Sequence, residues 1–167
     1  MKYGQIRKYD IANGPGIRTT LFVTGCNFNC KGCFNKEYQD FNNGKEFTDK
    51  ESELILNYLK EDEIKGLTIL GGEPFENVDG LINLIDYLKQ EEMNKDIWIY
   101  SGYKYEEIIK NSNKLELLKK CNTLVDGRFQ IENKDLRLKF RGSSNQRIID
   151  IEKSLINNEI IERTEYY

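Results

Sequence analysis

The sequence predicts an α/β domain built on a parallel β-sheet. Short β-branched or aromatic runs alternate with helical patterns, and a polar or glycine-containing loop follows each run. The length of 167 residues suits one domain, and no repeat, linker or shift in composition divides the chain. We therefore expect a single domain over residues 1–167, with right-handed crossovers between its strands.

The first two strands and the helix between them have clear local signals. The run RTTLFVT at 18–24 predicts a strand that leads into a cysteine-rich loop. Thr48 and Glu51 form a capping-box pattern, and apolar residues at helical spacing behind it predict a helix from about 49 to 61. The run GLTIL at 66–70 is too short for a helix and predicts a buried strand that ends in GGEP.

The same order of helix and strand repeats along the middle of the chain. Apolar residues over 78–88 share one helical face, and DIWIY at 96–100 predicts the next strand. A helix is then predicted over 105–120, with a break near 111–113, before a strand at 122–125.

The C-terminal part carries weaker patterns. LRLKF at 136–140 and QRIIDI at 146–151 predict two strands around the turn RGSS, and the tail to Tyr167 is ambiguous. Both the sheet and its crossovers are therefore predicted mainly from residues 18–125.

Four loops are predicted to meet at one edge of the sheet. The segments CNFNCKGC, GGEP, SGY and DGR each follow a predicted strand. Parallel α/β sheets bind their ligands at the C-terminal ends of the strands. We therefore expect these segments, far apart in sequence, to face one pocket.

Composition excludes several classes of function. Charged residues make up 32% of the chain and the net charge is only -3, which indicates no nucleic-acid partner. The N-terminal MKYGQIRKYDIANG has no signal-peptide core, and no apolar run approaches the roughly 18 residues of a membrane span, so a cytoplasmic protein is expected. Histidine is absent, which excludes a Cys/His zinc finger, a Cys-His nucleophile pair and a histidine base.

The cysteine spacing C-x3-C-x2-C is the strongest chemical signal. Cys26, Cys30 and Cys33 provide three thiolates, one fewer than a closed zinc or electron-transfer 4Fe-4S site needs. Such a loop can hold three corners of a 4Fe-4S cluster and leave the fourth iron open. The alternatives are a zinc module completed by Cys121 and an electron carrier with four protein ligands, although Cys121 is more simply a buried apolar residue.

Together with GGEP at 71–74, this cysteine loop resembles that of the radical S-adenosylmethionine enzymes. The resemblance implies an open, truncated (βα) barrel-like parallel sheet. It also implies that Cys26, Cys30 and Cys33 ligate the cluster as the catalytic centre, while S-adenosyl-L-methionine chelates the open iron. One electron then splits this cofactor into methionine and a 5′-deoxyadenosyl radical.

The same resemblance assigns cofactor-binding residues. Gly71 and Gly72 would let the backbone approach the cofactor, and Glu73 would accept from its ammonium group. Ser101 and Gly102 occupy the place where relatives contact the ribose.

Further residues are assigned more loosely. Gly32 and Phe34, on either side of Cys33, are also expected at the cofactor, and Asp126 or Arg128 at its carboxylate. The turn RGSSNQR at 141–147 is predicted either to bind an anion or to be solvated.

The pattern GCxxxCxGC[FY]N, with glycine before the third cysteine, narrows the resemblance. Together with NGPGIRTTLFV, IWIYSGY, LVDGRF and RGSSNQR, it resembles the activating components of anaerobic ribonucleoside-triphosphate reductases. This implies hydrogen abstraction from a glycine of the large reductase subunit, with flavodoxin or a ferredoxin-type protein as electron donor. An activase of the pyruvate formate-lyase type and a non-enzymatic zinc-binding module remain the alternatives.

Overall fold

The computed structural model describes residues 1–167 and contains a single seven-stranded sheet. Its strands are β1 (Lys2–Asp10), β2 (Ile17–Val23), β3 (Lys45–Glu46), β4 (Ile64–Gly71), β5 (Asp96–Tyr100), β6 (Thr123–Asp126) and β7 (Arg147–Asp150). Its helices are α1 (Asp49–Leu59), α2 (Val78–Gln90), α3 (Tyr105–Ile108), α4 (Ser112–Leu118) and α5 (Ile151–Asn157). No helix has the length and apolar character needed to cross a membrane.

The sheet is mixed, with a parallel centre. The strand order is β3-β1-β2-β4-β5-β6-β7, and neighbours from β2 to β6 pair in parallel. The outer strands β1, β3 and β7 run antiparallel to their neighbours. The α/β class is confirmed, and the expectation of a wholly parallel sheet is corrected at both edges.

Side chains alternate between the two faces of the central strands. Leu21, Ile69 and Ile99 belong to the main core, which the apolar faces of the helices complete. On the other face, Trp98 and Val125 form a smaller cluster with residues of the C-terminal part. Because both faces are covered, the central strands read as near-continuous apolar runs.

The local signals correspond to observed elements. The main-chain N–H of Thr48 donates to the Glu51 carboxylate over 2.7 Å, so the capping box is formed at the start of α1. The predicted break in the helix over 105–120 is also confirmed, because α3 and α4 are separate helices. Asn111 caps α4 by accepting from the N–H of Lys114.

The strand predicted at 136–140 is wrong. This segment contains no strand, and only an isolated bridge joins Lys134 to Ser143 nearby. Phe140 has a φ of 56°, which is outside the extended region, and its ring packs against Trp98. In this loop Leu138 and Phe140 are partly buried, whereas Leu136 is 82% exposed. The alternation in LRLKF therefore does not come from a strand.

Candidate active site

A cavity of about 450 Å³ opens at the C-terminal edge of the parallel strands. Its volume lies in the range of small-molecule sites. The predicted residues in its wall are Cys26, Cys30, Cys33, Phe34, Gly71, Gly72, Glu73, Ser101, Gly102 and Arg128. All four predicted loops thus contribute to one cavity, which extends across the sheet face opposite the main core.

The cysteine loop is closed at its base by two main-chain hydrogen bonds. The N–H of Gly25 donates to the carbonyl of Tyr38 over 2.9 Å, and that of Cys26 donates to Gln39 over 2.9 Å. Gly25 has a φ of 93°, a conformation that glycine adopts without a Cβ clash. The loop therefore leaves β2 sharply and returns beside its own start.

The three loop thiols differ from the fourth. Cys26, Cys30 and Cys33 are partly exposed, and burial raises the pKa of Cys26 and of Cys30. Cys121 is buried before β6, at the opposite edge of the sheet, and burial raises its pKa to about 12. Cys121 is therefore not available as a fourth ligand for the loop.

The donor set suits a cluster with several irons. Thiolates are the preferred ligands of iron-sulfur clusters, whose irons are each bound by a separate cysteine. Cys26, Cys30 and Cys33 line one cavity without the fourth cysteine, which fits that requirement and leaves a structural zinc ion one ligand short.

Gly71 and Gly72 hold the GGEP loop against the cysteine loop. A Cβ on Gly72 would lie 2.5 Å from the carbonyl oxygen of Gly25 and 2.6 Å from that of Tyr38. Gly71 has a φ of 114° and packs equally closely on Val23. The N–H of Gly72 donates to the Val23 carbonyl over 2.8 Å. These glycines thus allow the GGEP loop to lie directly against the cysteine loop. Their predicted close approach to a cofactor stays a prediction.

Glu73 ties GGEP to the loop that follows β5. Its carboxylate accepts from the Ser101 hydroxyl over 2.9 Å and from the main-chain N–H groups of Phe75 and Gly102, over 2.9 and 2.7 Å. The side chain is only 1% exposed, and burial raises the pKa of Glu73 to about 7 despite these donors.

These contacts limit what else Glu73 can do. A carboxylate offers about four acceptor directions, and three of them are used here. One acceptor position therefore remains for an ammonium group, on Oε2, the oxygen that accepts from Gly102. That contact stays a prediction.

Phe28 is a site residue that the sequence did not indicate. It lies between Cys26 and Cys30 in the sequence, and a Cβ on Gly102 would lie 2.4 Å from its ring. Its ring packs edge-on against Tyr103 at 4.6 Å, and the Arg128 guanidinium carbon lies 4.3 Å from its centroid. The aromatic residue in CNFNC was the only available signal. Phe28 joins three of the four loops.

The two candidates for the cofactor carboxylate are in different environments. The Asp126 carboxylate is buried and accepts from the N–H of Tyr105 and from the Arg147 guanidinium. Arg128 is exposed and lines the cavity. Asp126 thus links β6 to α3 and β7 through these hydrogen bonds. Arg128 instead presents to the cavity the positive charge that an anionic group requires.

Gly32 and Phe34, the neighbours of Cys33, differ in their position relative to the cavity. Gly32 has a φ of 73° and is not part of the cavity wall, because its Cα faces the side chain of Ile131. Phe34 lines the cavity mouth, is 58% exposed and packs against Phe129 at 5.0 Å. Their contact with a cofactor stays a prediction.

Comparisons with known proteins point to one family. The family described as "4Fe-4S single cluster domain" matches residues 12–149. The anaerobic ribonucleoside-triphosphate reductase-activating protein of Escherichia coli K12 is 41% identical over 150 residues, which cover 87% of this chain and 96% of that protein. The protein of the same name from Enterobacteria phage T4 is 38% identical, over 89% of this chain and 93% of its own.

A third similar protein, from Vibrio cholerae, has the same name and is 39% identical over 87% of this chain and 96% of its own length. These matches cover 87–89% of this chain, and residues 12–149, which match the family model, include all four loops of the cavity. The chain therefore belongs to the family of anaerobic ribonucleoside-triphosphate reductase-activating proteins and carries their 4Fe-4S single cluster domain.

Proposed function

We propose that this protein is a radical S-adenosylmethionine enzyme that installs a glycyl radical on the large subunit of an anaerobic ribonucleoside-triphosphate reductase. Cys26, Cys30 and Cys33 would ligate a 4Fe-4S cluster in an open, truncated barrel-like sheet. With an electron from flavodoxin or a ferredoxin-type protein, the cluster would supply the reductive cleavage of S-adenosyl-L-methionine to a 5′-deoxyadenosyl radical, which would take a hydrogen atom from the glycine.

The protein's own residues would bind and orient the cofactor. Gly71 and Gly72 keep the backbone of GGEP beside the cysteine loop, and Glu73 fixes the loop of Ser101 and Gly102. The free acceptor direction of Glu73 suits an ammonium group, and Ser101 and Gly102 suit a ribose. These contacts would set the position of the reacting carbon, which is what binding contributes to such a reaction.

One observation carries the proposal. Three partly exposed thiols and GGEP line the same cavity, whereas the fourth cysteine is buried at the opposite edge of the sheet. Three thiols without a fourth leave a coordination position for a substrate. The names of the similar proteins support the identity of the protein substrate.

The test is anaerobic reconstitution with iron and sulfide, followed by incubation with S-adenosylmethionine, a reductant and candidate protein substrates. We expect methionine and 5′-deoxyadenosine to form, and an electron paramagnetic resonance signal of a glycyl radical on the reductase. A radical on pyruvate formate-lyase alone would contradict the choice of partner. Stoichiometric zinc without iron or sulfide would contradict the reaction itself.

A further inference from the structure

The loop that follows β6 is held from outside by the turn before β7. Three consecutive residues, 145–147, bind three consecutive residues, 126–128, and we call residues 145–147 the clasp. Its contacts are Arg147 Nε to Asp126 Oδ1, Gln146 Nε2 to the Gly127 carbonyl and Asn145 Nδ2 to the Arg128 carbonyl, each 2.9 Å long. Each clasp residue binds one residue of the loop, so the clasp holds residues 126–128 at three successive positions.

The clasp is itself well anchored. Gln146 Oε1 accepts from the N–H groups of Gly142 and Ser143, over 2.9 and 3.2 Å, so the turn is folded around this side chain. Arg147 also binds the Glu106 carboxylate over 3.0 and 2.8 Å. A side chain fixed on both sides loses little entropy when it holds a neighbouring loop. The turn RGSSNQR, for which the sequence predicts anion binding or solvation, thus also supports the cavity, and anion binding stays a prediction.

The clasped loop reaches the cysteines through two residues. Arg128 lines the same cavity as Cys30, and Phe129 packs against Phe34, the residue after Cys33, at 5.0 Å. The Arg128 guanidinium also stacks on Phe28, two residues before Cys30. The loop after β6 therefore places a cation against the cysteine loop, in the cavity that Cys30 lines.

We propose that Arg128, held in place by the clasp, raises the reduction potential of the 4Fe-4S cluster bound through Cys30. The inference rests on the proposed function, because it requires the cluster. Reduction adds one electron from the external donor, and hence one negative charge, to the cluster. A nearby positive charge and N–H groups directed at the ligand sulfurs favour the more negative state. Arg128 tunes the cluster, and the clasp residues are positioning residues.

The first experiment is an anaerobic redox titration of the reconstituted full-length protein without S-adenosylmethionine, monitored by absorbance and by the paramagnetic signal of the reduced cluster. In Arg128→Gln we expect the midpoint potential to move to a more negative value. Arg128→Lys keeps the charge and should show a smaller shift. The matched control is Lys139→Gln, which removes an exposed positive charge outside the cavity wall and should leave the potential unchanged.

The second experiment tests the clasp. Asn145→Ala removes only the hydrogen bond to the Arg128 carbonyl, and we expect a shift in the same direction but smaller than that of Arg128→Gln. In the double variant Asn145→Ala with Arg128→Gln, the potential should match that of Arg128→Gln alone, because the clasp acts through Arg128. Amide exchange at residues 127–129 of the loaded protein should be faster in Asn145→Ala than in the neighbouring control Ser144→Ala.

The outcomes are distinguishable. Equal potentials in wild type and Arg128→Gln at equal iron content would overturn this inference alone. Fully additive shifts in the double variant would show that Asn145 acts by another route and would overturn the role of the clasp. A wild-type protein that assembled no 4Fe-4S cluster would overturn the proposed function together with the inference.

Discussion

Replacing Gly72 by alanine is expected to destabilise the protein and to loosen the cysteine loop. The new Cβ would lie 2.5 Å from the Gly25 carbonyl oxygen and 2.6 Å from that of Tyr38. A close C···O contact needs about 3.3 Å, so these main-chain atoms must move by about 0.8 Å. The hydrogen bonds Glu73 N–H to Gly25 and Gly25 N–H to Tyr38, of 2.7 and 2.9 Å, lie directly in the path of that movement.

The cost of Gly72→Ala combines overpacking with the loss of these bonds. Overpacking costs about 1–3 kcal/mol, and each weakened hydrogen bond about 1 kcal/mol. We therefore expect the free energy of unfolding, measured with urea under anaerobic conditions, to fall by about 3–5 kcal/mol. The iron bound per chain after reconstitution should fall with it, because the displaced segment is the base of the cysteine loop.

Gly80→Ala is the matched control, since it makes the same substitution inside α2. There the new Cβ would meet only the flexible side chain of Met1, at 2.8 Å. Alanine is favoured over glycine in a helix by up to about 1 kcal/mol. The control should thus be neutral or slightly stabilising, with unchanged iron content. Equal unfolding free energies and equal iron content in the two variants would refute the role assigned to Gly72.

The cysteines should separate into two classes. Cys26→Ala, Cys30→Ala and Cys33→Ala should each abolish cleavage of S-adenosylmethionine, whereas Cys121→Ala should retain it at a modest cost in stability; activity in any of the first three would contradict the ligand assignment. Glu73 should make stability depend on pH. Its pKa rises from 4.5 to about 7 on folding, so the native state binds the proton more tightly and stability falls as pH increases through this window, by about 3 kcal/mol in all. Urea unfolding at pH 5 and pH 7.5 should show this loss in the wild type and not in Glu73→Gln; parallel losses would exclude Glu73 as the source.

The parallel centre of the sheet could be predicted because its signals are local. The strands at 64–71 and 96–100 are short apolar runs bounded by turn residues, and the helix between them has a clear apolar face. Once β2, β4, β5 and β6 are parallel, the convergence of their C-terminal loops follows from topology alone. The cavity was therefore predictable before any side-chain contact was known.

The edges of the sheet depend on contacts that the sequence does not encode locally. Residues of β1 alternate between partly buried and exposed positions, with charged side chains among them, so no apolar run indicates a strand. The segment 136–140 shows the opposite error. Its alternation is typical of a strand, but Phe140 turns to pack on Trp98 and Tyr166, and Tyr100 donates to its carbonyl. Tertiary packing overrides β-propensity there.

Within the site, the sequence indicated which loops meet but not how they are joined. The contact of Glu73 with a cofactor ammonium stays a prediction, and the structure adds three donors from the protein that the sequence did not indicate. The sequence did not indicate the contacts of Phe28, and it indicated an anion-binding or solvated turn at 141–147 but not the hydrogen bonds of that turn to the loop after β6. Aromatic packing and amide hydrogen bonds to main-chain carbonyls leave no spacing rule in a sequence.

The four loops of the cavity are connected to one another by protein contacts alone. The glycines of GGEP join it to the cysteine loop, Glu73 joins it to the loop of Ser101 and Gly102, and the clasp fixes the loop of Arg128. Fixed loops lower the entropy cost of placing a cofactor and keep the reacting groups in register. A small domain with an open edge needs such connections, because its loops are not held by a closed barrel around them. On the proposed function, the motif residues would serve the reaction first by holding one another, and their substitution should weaken the fold of the site as well as its chemistry.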